Sequence, residues 1–371
     1  MQALINMNKI KRLPLHEFHL ENSAKMTSFA GWEMPVSYGS SVKEHLNVRE
    51  EIGFFDVSHM GEIVVTGPQS LEFLNFVTTN NLVKVSDGQA IYSLMCNERG
   101  GVIDDLIIYR VSSTEFFICV NASNTLIDLS HLNELCGSFD CSVYDVSSGY
   151  GLIAVQGPNS EKFLEASFNE DFANIKRMHF SKMNFWEKEC IAARTGYTGE
   201  DGFEIFLPVE IMEKFVRLLS SSIYENNCWV GLAARDSLRL EAGFPLHGHE
   251  ISQDISPLQA RLNWAVSMDK GDFVGKQFLE KQKVSNDYSK VFHYEVKDRR
   301  IPRQGDSVVC GNKHAGIVLS GGYSPLIEAP IGTALVEKGF LENLFKEKWY
   351  AEVRGNFLPV KFSKPVKKRF D

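Results

Sequence analysis

Apolar and polar positions along the chain fall into two related blocks. Residues 62–74 read EIVVTGPQSLEFL and residues 151–164 read GLIAVQGPNSEKFL. They share V-[TQ]-G-P-x-S-x-x-F-L ninety positions apart (Val155 − Val65 = 90). In each block a β-branched run predicts a strand, and Gly67 or Gly157 turns the chain. Pro68 or Pro158 then pre-sets φ to open a helix, whose apolar stripe begins at Phe73/Leu74 or Phe163/Leu164. A period near ninety is too long for a solenoid and predicts a duplicated α+β domain.

Downstream of the first block, AIYSLMCNERGGVIDDLIIYRV reads as strand, turn, strand, with the turn chemistry in Asn97–Gly101. EFFICVNA reads as another strand, and TLIDLSHLNELCG as a helix with Gly137 as its C-cap. The second block continues with ECIAARTGYTGEDGFEIFLPV as strand, loop, strand. Two helices follow, VEIMEKFVRLLSSSIYEN and GLAARDSLRLEAGF, the latter stopping near Gly243. The span EAGFPLHGHEISQDISPLQARLNW is long and loop-rich, as functional or covering loops are. From about residue 275 the pattern changes to short strands with Gly-rich turns: VFHYEV, DSVVCG, HAGIVLSGGYS, GTALVEK, WYAEVRG and PVKF. That is the signature of an all-β barrel or sandwich.

Composition narrows the class. The chain has 371 residues with 44% hydrophobic and 23% charged residues, as soluble globular proteins do, which excludes disordered, collagen-like and low-complexity chains. No apolar run approaches the ~18 residues of a membrane helix. The start, MQALINMNKIKRLPL, has neither an apolar core nor a cleavage site, so it reads as a ragged extension rather than a secretory signal, and no transit peptide is evident. The expectation is a cytoplasmic protein without a membrane partner. A net charge of −8 argues against nucleic acid, and the basic tail KPVKKRFD reads as a solvated terminus. Seven scattered cysteines fit free thiols in a reducing compartment; Cys136 and Cys141 are the nearest pair, and no second pair completes a zinc site.

Few residues present chemistry. Asp104 and Asp105 follow a Gly-Gly turn and open an apolar strand. Strand neighbours point to opposite faces, so the two carboxylates are not an acid/base dyad: one faces in and the other out. The inward one fits a base or cation stabiliser, and the competing reading is a pair of strand-end residues meeting water. GYTGEDGFEI, Gly196–Ile205, lacks the Lys-[Ser/Thr] of a phosphate loop and reads as a hairpin turn whose glycines take positive φ. Its Glu204 stands in an apolar run and must be paired or exposed. Arg235 and Arg239 share a helix face at i, i+4. There they form a solvated basic stripe or a clamp for a carboxylate or heterocycle, with Asp236 poorly placed to pair with either. His247-Gly-His249-Glu250 lacks the partners of a metal site, and no metal is expected. Trp32, Tyr92, Tyr197 and Trp264 read as core aromatics or stacking groups.

Together these segments resemble the aminomethyltransferase, or T-protein, family of the glycine cleavage system. The resemblance runs from about Leu13 to Phe362. It is carried, in order, by PLHEFHLENSAKMTSFAGWEMPVSYGS, FDVSHMGEI, GGVIDDLI, VNASN, VQGP, TGYTGEDGFEI, GLAARDSLRLEAG and GIVLSGGYSPLIEAPIG. It implies a three-domain cloverleaf of α+β class: duplicated α+β domains around a central folate channel, and a C-terminal β-barrel. The implied domains are 1–50 plus 140–265, discontinuous; 51–139, inserted; and 275–371, the barrel. The implied reaction takes the aminomethyl group on the dihydrolipoyl arm of H-protein and passes its one-carbon unit to tetrahydrofolate. Ammonia and 5,10-methylenetetrahydrofolate are released.

By the same resemblance, Asp105, second Asp of GG-x-x-DD, is the catalytic carboxylate near the developing iminium and folate N5. Tyr197 and Glu204 match folate ligands, Arg235 a substrate-binding arginine, and Tyr92, Asn121 and Trp264 channel-lining positions. The expected partners are lipoylated H-protein and tetrahydrofolate, the latter as acceptor substrate, with the enzyme a monomer. Two positions depart from the family pattern. Phe362 stands where a Tyr is common, and Gln259 where the S/T-P-x-E segment has Glu. Among relatives of the fold, the iron–sulfur assembly protein carries a K-G-C-Y segment that KGDFVGKQF lacks, and fused flavin enzymes need a domain this chain has no room for. A tetrahydrofolate-dependent demethylase and a non-catalytic folate-binding protein are the alternatives.

Overall fold

The computed structural model describes residues 10–222 and 228–367. The chain forms two compact units, each discontinuous in sequence. One comprises Met1–Glu62, Asp145–Gly196 and Glu200–Arg235; the other comprises Ile63–Tyr144, Tyr197–Gly199 and Asp236–Asp371.

The first unit opens with a small sheet of β1 (Lys11–Arg12), β2 (Lys25–Phe29) and β3 (Trp32–Ser37), in the order β1-β3-β2. Strand β4 (Gly53–Asp56) follows the helix Ser41–Glu50. The chain then enters the second unit with β5 (Gly61–Thr66), β6 (Gln89–Cys96), β7 (Val102–Ser112), β8 (Glu115–Val120) and β9 (Ser142–Asp145), ordered β6-β7-β8-β5-β9. Back in the first unit, β10 (Tyr150–Gln156), β11 (Phe180–Phe185), β12 (Lys188–Ala193) and β13 (Gly202–Pro208) join β4 in the order β11-β12-β13-β10-β4. The two five-stranded sheets therefore share one topology, as the duplicated sequence blocks predict.

The exchange of one strand explains why the units are discontinuous. Strand β4 leads the first block yet pairs antiparallel with β10 of the second, in register Ile153↔Asp56 to Gln156↔Gly53. Strand β9 leads the second block and lies beside β5 of the first. Each copy thus contributes its leading strand to the other copy's sheet.

The block turn is the same in both copies. Gly67 and Gly157 adopt φ of 132° and 133°, where an L side chain is strained. A Cβ there would also lie 2.6 Å from the Asp140 carbonyl oxygen or 2.5 Å from that of Glu51. Helices Ser70–Val77 and Ser160–Phe168 follow directly. Phe73 and Leu74 bury against Ile63, Val65 and Phe116. Leu164 buries against Phe54, Val155 and Phe203 in the first unit. The helix Thr125–Cys136 ends at Gly137 as predicted, but Gly137 is right-handed (φ −60°), so this cap does not call on glycine's left-handed freedom. The helix Val209–Ser221 packs Ile211, Met212, Phe215 and Leu219 into the core; the end of its predicted span, residues 223–226, lies outside the described residues.

The β-rich tail is a closed barrel. Strands β14 (Lys290–Val296), β15 (Ser307–Cys310), β16 (Lys313–Ser324), β17 (Ala329–Val336), β18 (Trp349–Val353) and β19 (Asn356–Ser363) close in the order β14-β17-β16-β15-β18-β19. Its core includes Tyr294, Val318, Trp349, Leu358 and Phe362. Phe362 meets Trp349 edge-on at 5.0 Å, so an apolar ring suits this position without a hydroxyl. Among the described residues no helix is long and apolar enough to cross a membrane.

The long span after the helix Leu232–Ala242 covers the start of β7 within the second unit. Val102 N donates to Ser252 O at 2.8 Å, and a Cβ on Gly101 would fall 1.8 Å from Gln253 O. Ser256 and Gln259 form a reciprocal box: Ser256 N donates to Gln259 Oε1 at 3.0 Å, and Gln259 N to Ser256 Oγ at 3.2 Å. An amide oxygen accepts here as a carboxylate oxygen would, which accounts for Gln259 in place of Glu.

Candidate active site

In the second unit, the β6–β7 pairing sets Asp105 opposite Leu94 and Asp104 opposite Met95, beside a bulge at Met95/Cys96. Tyr92, two residues before Leu94 on β6, donates its hydroxyl to Asp105 Oδ2 at 3.0 Å. Asn121, just past β8, donates Nδ2 to Asp105 Oδ1 at 2.8 Å and to Asp104 Oδ1 at 2.9 Å. Asn121 N and Asn124 Nδ2 also donate to Asp104, at 2.9 and 2.6 Å. Trp264, in the turn Asn263–Ala265, stacks on Tyr92 with ring centres 5.2 Å apart and planes 30° apart. It is 56% exposed, so it is not a core aromatic. Four sequence-predicted residues, Asp105, Tyr92, Asn121 and Trp264, thus form one connected group.

The expectation that one of the pair faces out, and the competing reading that both meet water, are corrected. Alternation does send the two side chains in different directions, but Asp104 is fully buried and Asp105 half-buried. Three N–H donors compensate Asp104, and Asn121 is short enough to span both carboxylates at the strand end. Burial, then the adjacent Asp104 charge, push the Asp105 carboxyl up to about 7, against the hydrogen bonds of Tyr92 and Asn121. A half-exposed carboxyl that titrates near neutrality can hold or accept a proton at working pH.

Sequence reasoning missed a third acid. Asp128, in the first turn of helix Thr125–Cys136, is fully buried and faces Asp104, with no N–H or hydroxyl donor on either oxygen. Burial and then the Asp104 charge push its carboxyl up to about 10, so at neutral pH it is a carboxylic acid. The available signal was an Asp at a helix position whose i+4 neighbour, Leu132, is core.

In the first unit, Glu204 on β13 pairs with Ala154 on β10 and Ala193 on β12. It is paired, as its apolar run requires: Thr195 Oγ1 donates to Glu204 Oε2 at 2.5 Å. Burial raises its carboxyl above the usual range, opposed by Thr195 and the charge of Arg235. Arg235, on helix Leu232–Ala242, also faces His59 electrostatically. Burial and the Arg235 charge push the His59 imidazole down to about 3, so it is neutral. Asp56, whose charge also reaches His59, lies with Oδ2 2.8 Å from His19 Nε2, and His19 Nδ1 lies 2.7 Å from Tyr38 Oη. The signal for Asp56 and His59 was a polar pair inside the apolar run GFFDVSHM.

The loop joining β12 to β13 uses its glycines differently from the hairpin reading. Only Gly199 there has positive φ, 82°. At Gly196 and Gly202 a Cβ would collide with the side chain of Gln156, 2.1 and 2.6 Å away, while Gln156 Nε2 donates to Thr195 O. Tyr197 belongs to the segment grouped with the second unit, and its hydroxyl is buried.

Arg239 is not part of a solvated stripe. It is buried in the second unit and, contrary to expectation, binds Asp236, with Nε to Oδ1 at 2.9 Å. Its Nη1 meets Glu250 Oε2 at 2.9 Å and its Nη2 meets Ser320 Oγ at 3.0 Å. Glu250 also accepts from Thr333 and from Leu246 N. His249 Nδ1 lies 2.8 Å from Leu319 O and His247 Nε2 lies 3.3 Å from Val102 O. This motif is therefore engaged in packing, and among the described residues no cluster of three or more His, Cys, Asp or Glu could hold a metal.

Comparison with known proteins gives a consistent family. A GCVT N-terminal domain model matches residues 15–270, and a glycine cleavage T-protein C-terminal barrel domain model matches residues 290–367. An aminomethyltransferase of Caldanaerobacter subterraneus subsp. tengcongensis is 40% identical over 344 residues, 92% of each chain. One of Chlorobaculum parvum is 43% identical over 354 residues, covering 94% of this chain and 96% of its own. The crystal structure of the glycine cleavage system aminomethyltransferase T from Bartonella henselae superposes with a TM-score of 0.90 at 33% identity, covering 98% of this chain and all of that one. The two sheets, the barrel and these matches along nearly the whole chain show that it belongs to the glycine cleavage T-protein, or aminomethyltransferase, family.

Proposed function

We propose that this protein transfers the one-carbon unit of an aminomethyl group, carried on the dihydrolipoyl-lysine of an H-protein, to tetrahydrofolate. The products are ammonia, 5,10-methylenetetrahydrofolate and the reduced lipoyl carrier. The observation that carries this reading is Asp105: a carboxylate clamped by Tyr92 and Asn121 whose proton affinity lies near neutrality.

The reaction forms carbon–nitrogen bonds from the folate to the methylene carbon, breaks the bonds from that carbon to sulfur and to the amine nitrogen, and removes protons from the attacking folate nitrogens. An ionised Asp105 stabilises the iminium cation as it develops and takes the N5 proton. Tyr92 and Asn121 hold its two oxygens apart, so the carboxylate is oriented before substrate arrives. Glu204 is proposed to accept from the pterin N–H donors, Arg235 to bind an anionic or carbonyl group of the substrate, and Tyr197 and Trp264 to contact folate. These assignments rest on the family resemblance and on the burial and polarity of the side chains. No metal takes part in this scheme.

We read the enzyme as a cytoplasmic monomer meeting its carrier protein transiently. We further propose three domains, with the barrel at 275–371 and the first boundary set after Asp56 rather than at residue 50, because Gly53–Asp56 pairs with Tyr150–Gln156. Mixing the protein with aminomethylated H-protein and tetrahydrofolate, and measuring ammonia and methylenetetrahydrofolate, tests the activity. Methyl transfer from a sulfonium donor to tetrahydrofolate, with no response to H-protein, would instead identify a demethylase.

A further inference from the structure

The reaction proposed above uses Asp105, yet two more buried carboxyl groups stand behind it. Asp104 has no exposed surface and accepts three N–H donors: Asn121 N, Asn121 Nδ2 and Asn124 Nδ2. Asp128 has no exposed surface either, and neither of its oxygens meets an N–H or hydroxyl donor. The group its carboxyl faces is that of Asp104. Two carboxylates cannot hydrogen-bond to each other in a dry interior, so one must carry a proton. Asp104 already receives three donors that favour its anion, whereas Asp128 receives none. The proton therefore belongs to Asp128, which donates to Asp104.

We propose that Asp128 is a positioning residue of this enzyme: as a neutral acid it donates to Asp104, fixing Asp104 as the anion that orients Asn121 against Asp105. The chain of contacts is continuous. Asp128 holds Asp104, Asp104 takes one hydrogen of the Asn121 amide, and the other hydrogen of that nitrogen lies on Asp105 Oδ1. Without the donor, Asp104 loses the contact that fixes its carboxyl, and its hold on Asn121 and Asn124 loosens. Asn121 loses its fixed orientation, and so does the carboxylate it presents. The groups facing this proton are Asp104 and Asp105 on β7; Tyr92 on β6 and Asn121 after β8 face Asp105 from the other sides. This role rests on the reaction proposed above, but the site of the proton does not.

The first test is infrared absorption of the full chain labelled with 13C-aspartate, at pH 8.5. The wild type should show one protonated aspartic acid band that shifts in heavy water. Asp128→Asn should abolish it and Asp105→Asn should keep it. No band in the wild type, or a band surviving in Asp128→Asn, overturns the proposal. The second test is kinetic. Asp128→Asn, whose amide still donates to Asp104, should keep kcat within about threefold. Asp128→Ala should lower kcat by about 10- to 100-fold, the scale of a misplaced reacting group, with KM for tetrahydrofolate little changed. Unchanged kcat in a folded Asp128→Ala overturns the positioning role. If Asp128→Ala does not fold, the infrared comparison and the Asp128→Asn rate still decide. A wild type that shows the band but transfers no one-carbon unit would overturn the reaction rather than the proton's place.

Discussion

Asn121 holds Asp104 and Asp105 with one amide nitrogen, at 2.9 and 2.8 Å. Adjacent strand residues usually act independently because they face opposite sides of a sheet. Here a side chain from beyond the next strand joins them, so a buried carboxyl sits beside the proposed catalytic carboxylate and, after burial itself, raises its proton affinity.

Replacing Asp105 by Asn should therefore cut turnover by about 10²–10⁴-fold, because charge is lost with little change in volume. The reaction needs the ionised form, and the carboxyl is pushed up to about 7, so wild-type kcat should fall as pH drops below about 7. A raised carboxyl pKa also stabilises the fold least at high pH, where the buried group must ionise. Asp105→Asn should thus unfold at a higher temperature than the wild type at pH 8.5, with the gap narrowing at pH 5.5. Calorimetry at the two pH values and steady-state rates check this.

Asp104→Asn should not be silent, despite the alternation of the strand. Removing the Asp104 charge removes the second cause that raises the Asp105 carboxyl, so the acid limb of kcat should move to lower pH. The rate should also fall, since Asn121 loses part of its anchor. A pH–rate profile identical to the wild type's would show that the two carboxylates are uncoupled.

The expectation that one Asp faces out failed for a reason no strand pattern contains. Alternation predicts which way a side chain points, not whether Asn121, Asn124 and Asp128, contributed by the segment after β8, meet it there. What was legible had local causes. The V-x-G-P turns, the duplicated strand–helix units and the barrel strands follow from period and turn chemistry, and Tyr92 falls on the same side of its strand pair as Asp105. The same limit appears at Arg239: the i, i+4 spacing placed it on a helix face, but only the packed structure shows Glu250 beneath it.

Arg239 gives a prediction about stability rather than activity. Arg239→Ala leaves Glu250 buried without its counter-charge, which should cost about 3–5 kcal/mol in denaturant unfolding. Burial pushes the Glu250 carboxyl up, but the Arg239 charge and the hydrogen bonds outweigh it and hold the group down at about 2. A depressed carboxyl stabilises the fold above its unfolded pKa, and that contribution fades as pH falls from about 4.5 toward 2. The variant should lack this part of the acid transition.

Folate recognition can be separated from chemistry by binding alone. Glu204→Ala and Arg235→Ala should each weaken tetrahydrofolate binding by about 1–3 kcal/mol, because each leaves polar groups unpaired. Isothermal titration calorimetry reads both. Unchanged affinity in both variants would remove these residues from the folate site.

The most direct test of the central claim follows the one-carbon unit itself. H-protein bearing a 13C-aminomethyl group is mixed with the enzyme and tetrahydrofolate, and the products are observed by NMR. The account predicts that the label appears as 5,10-methylenetetrahydrofolate with an equal amount of ammonia, and that Asp105→Asn slows this by at least about 10²-fold while still binding tetrahydrofolate. Label that stays on the carrier with the wild-type enzyme, or transfer at an undiminished rate with Asp105→Asn, would contradict it.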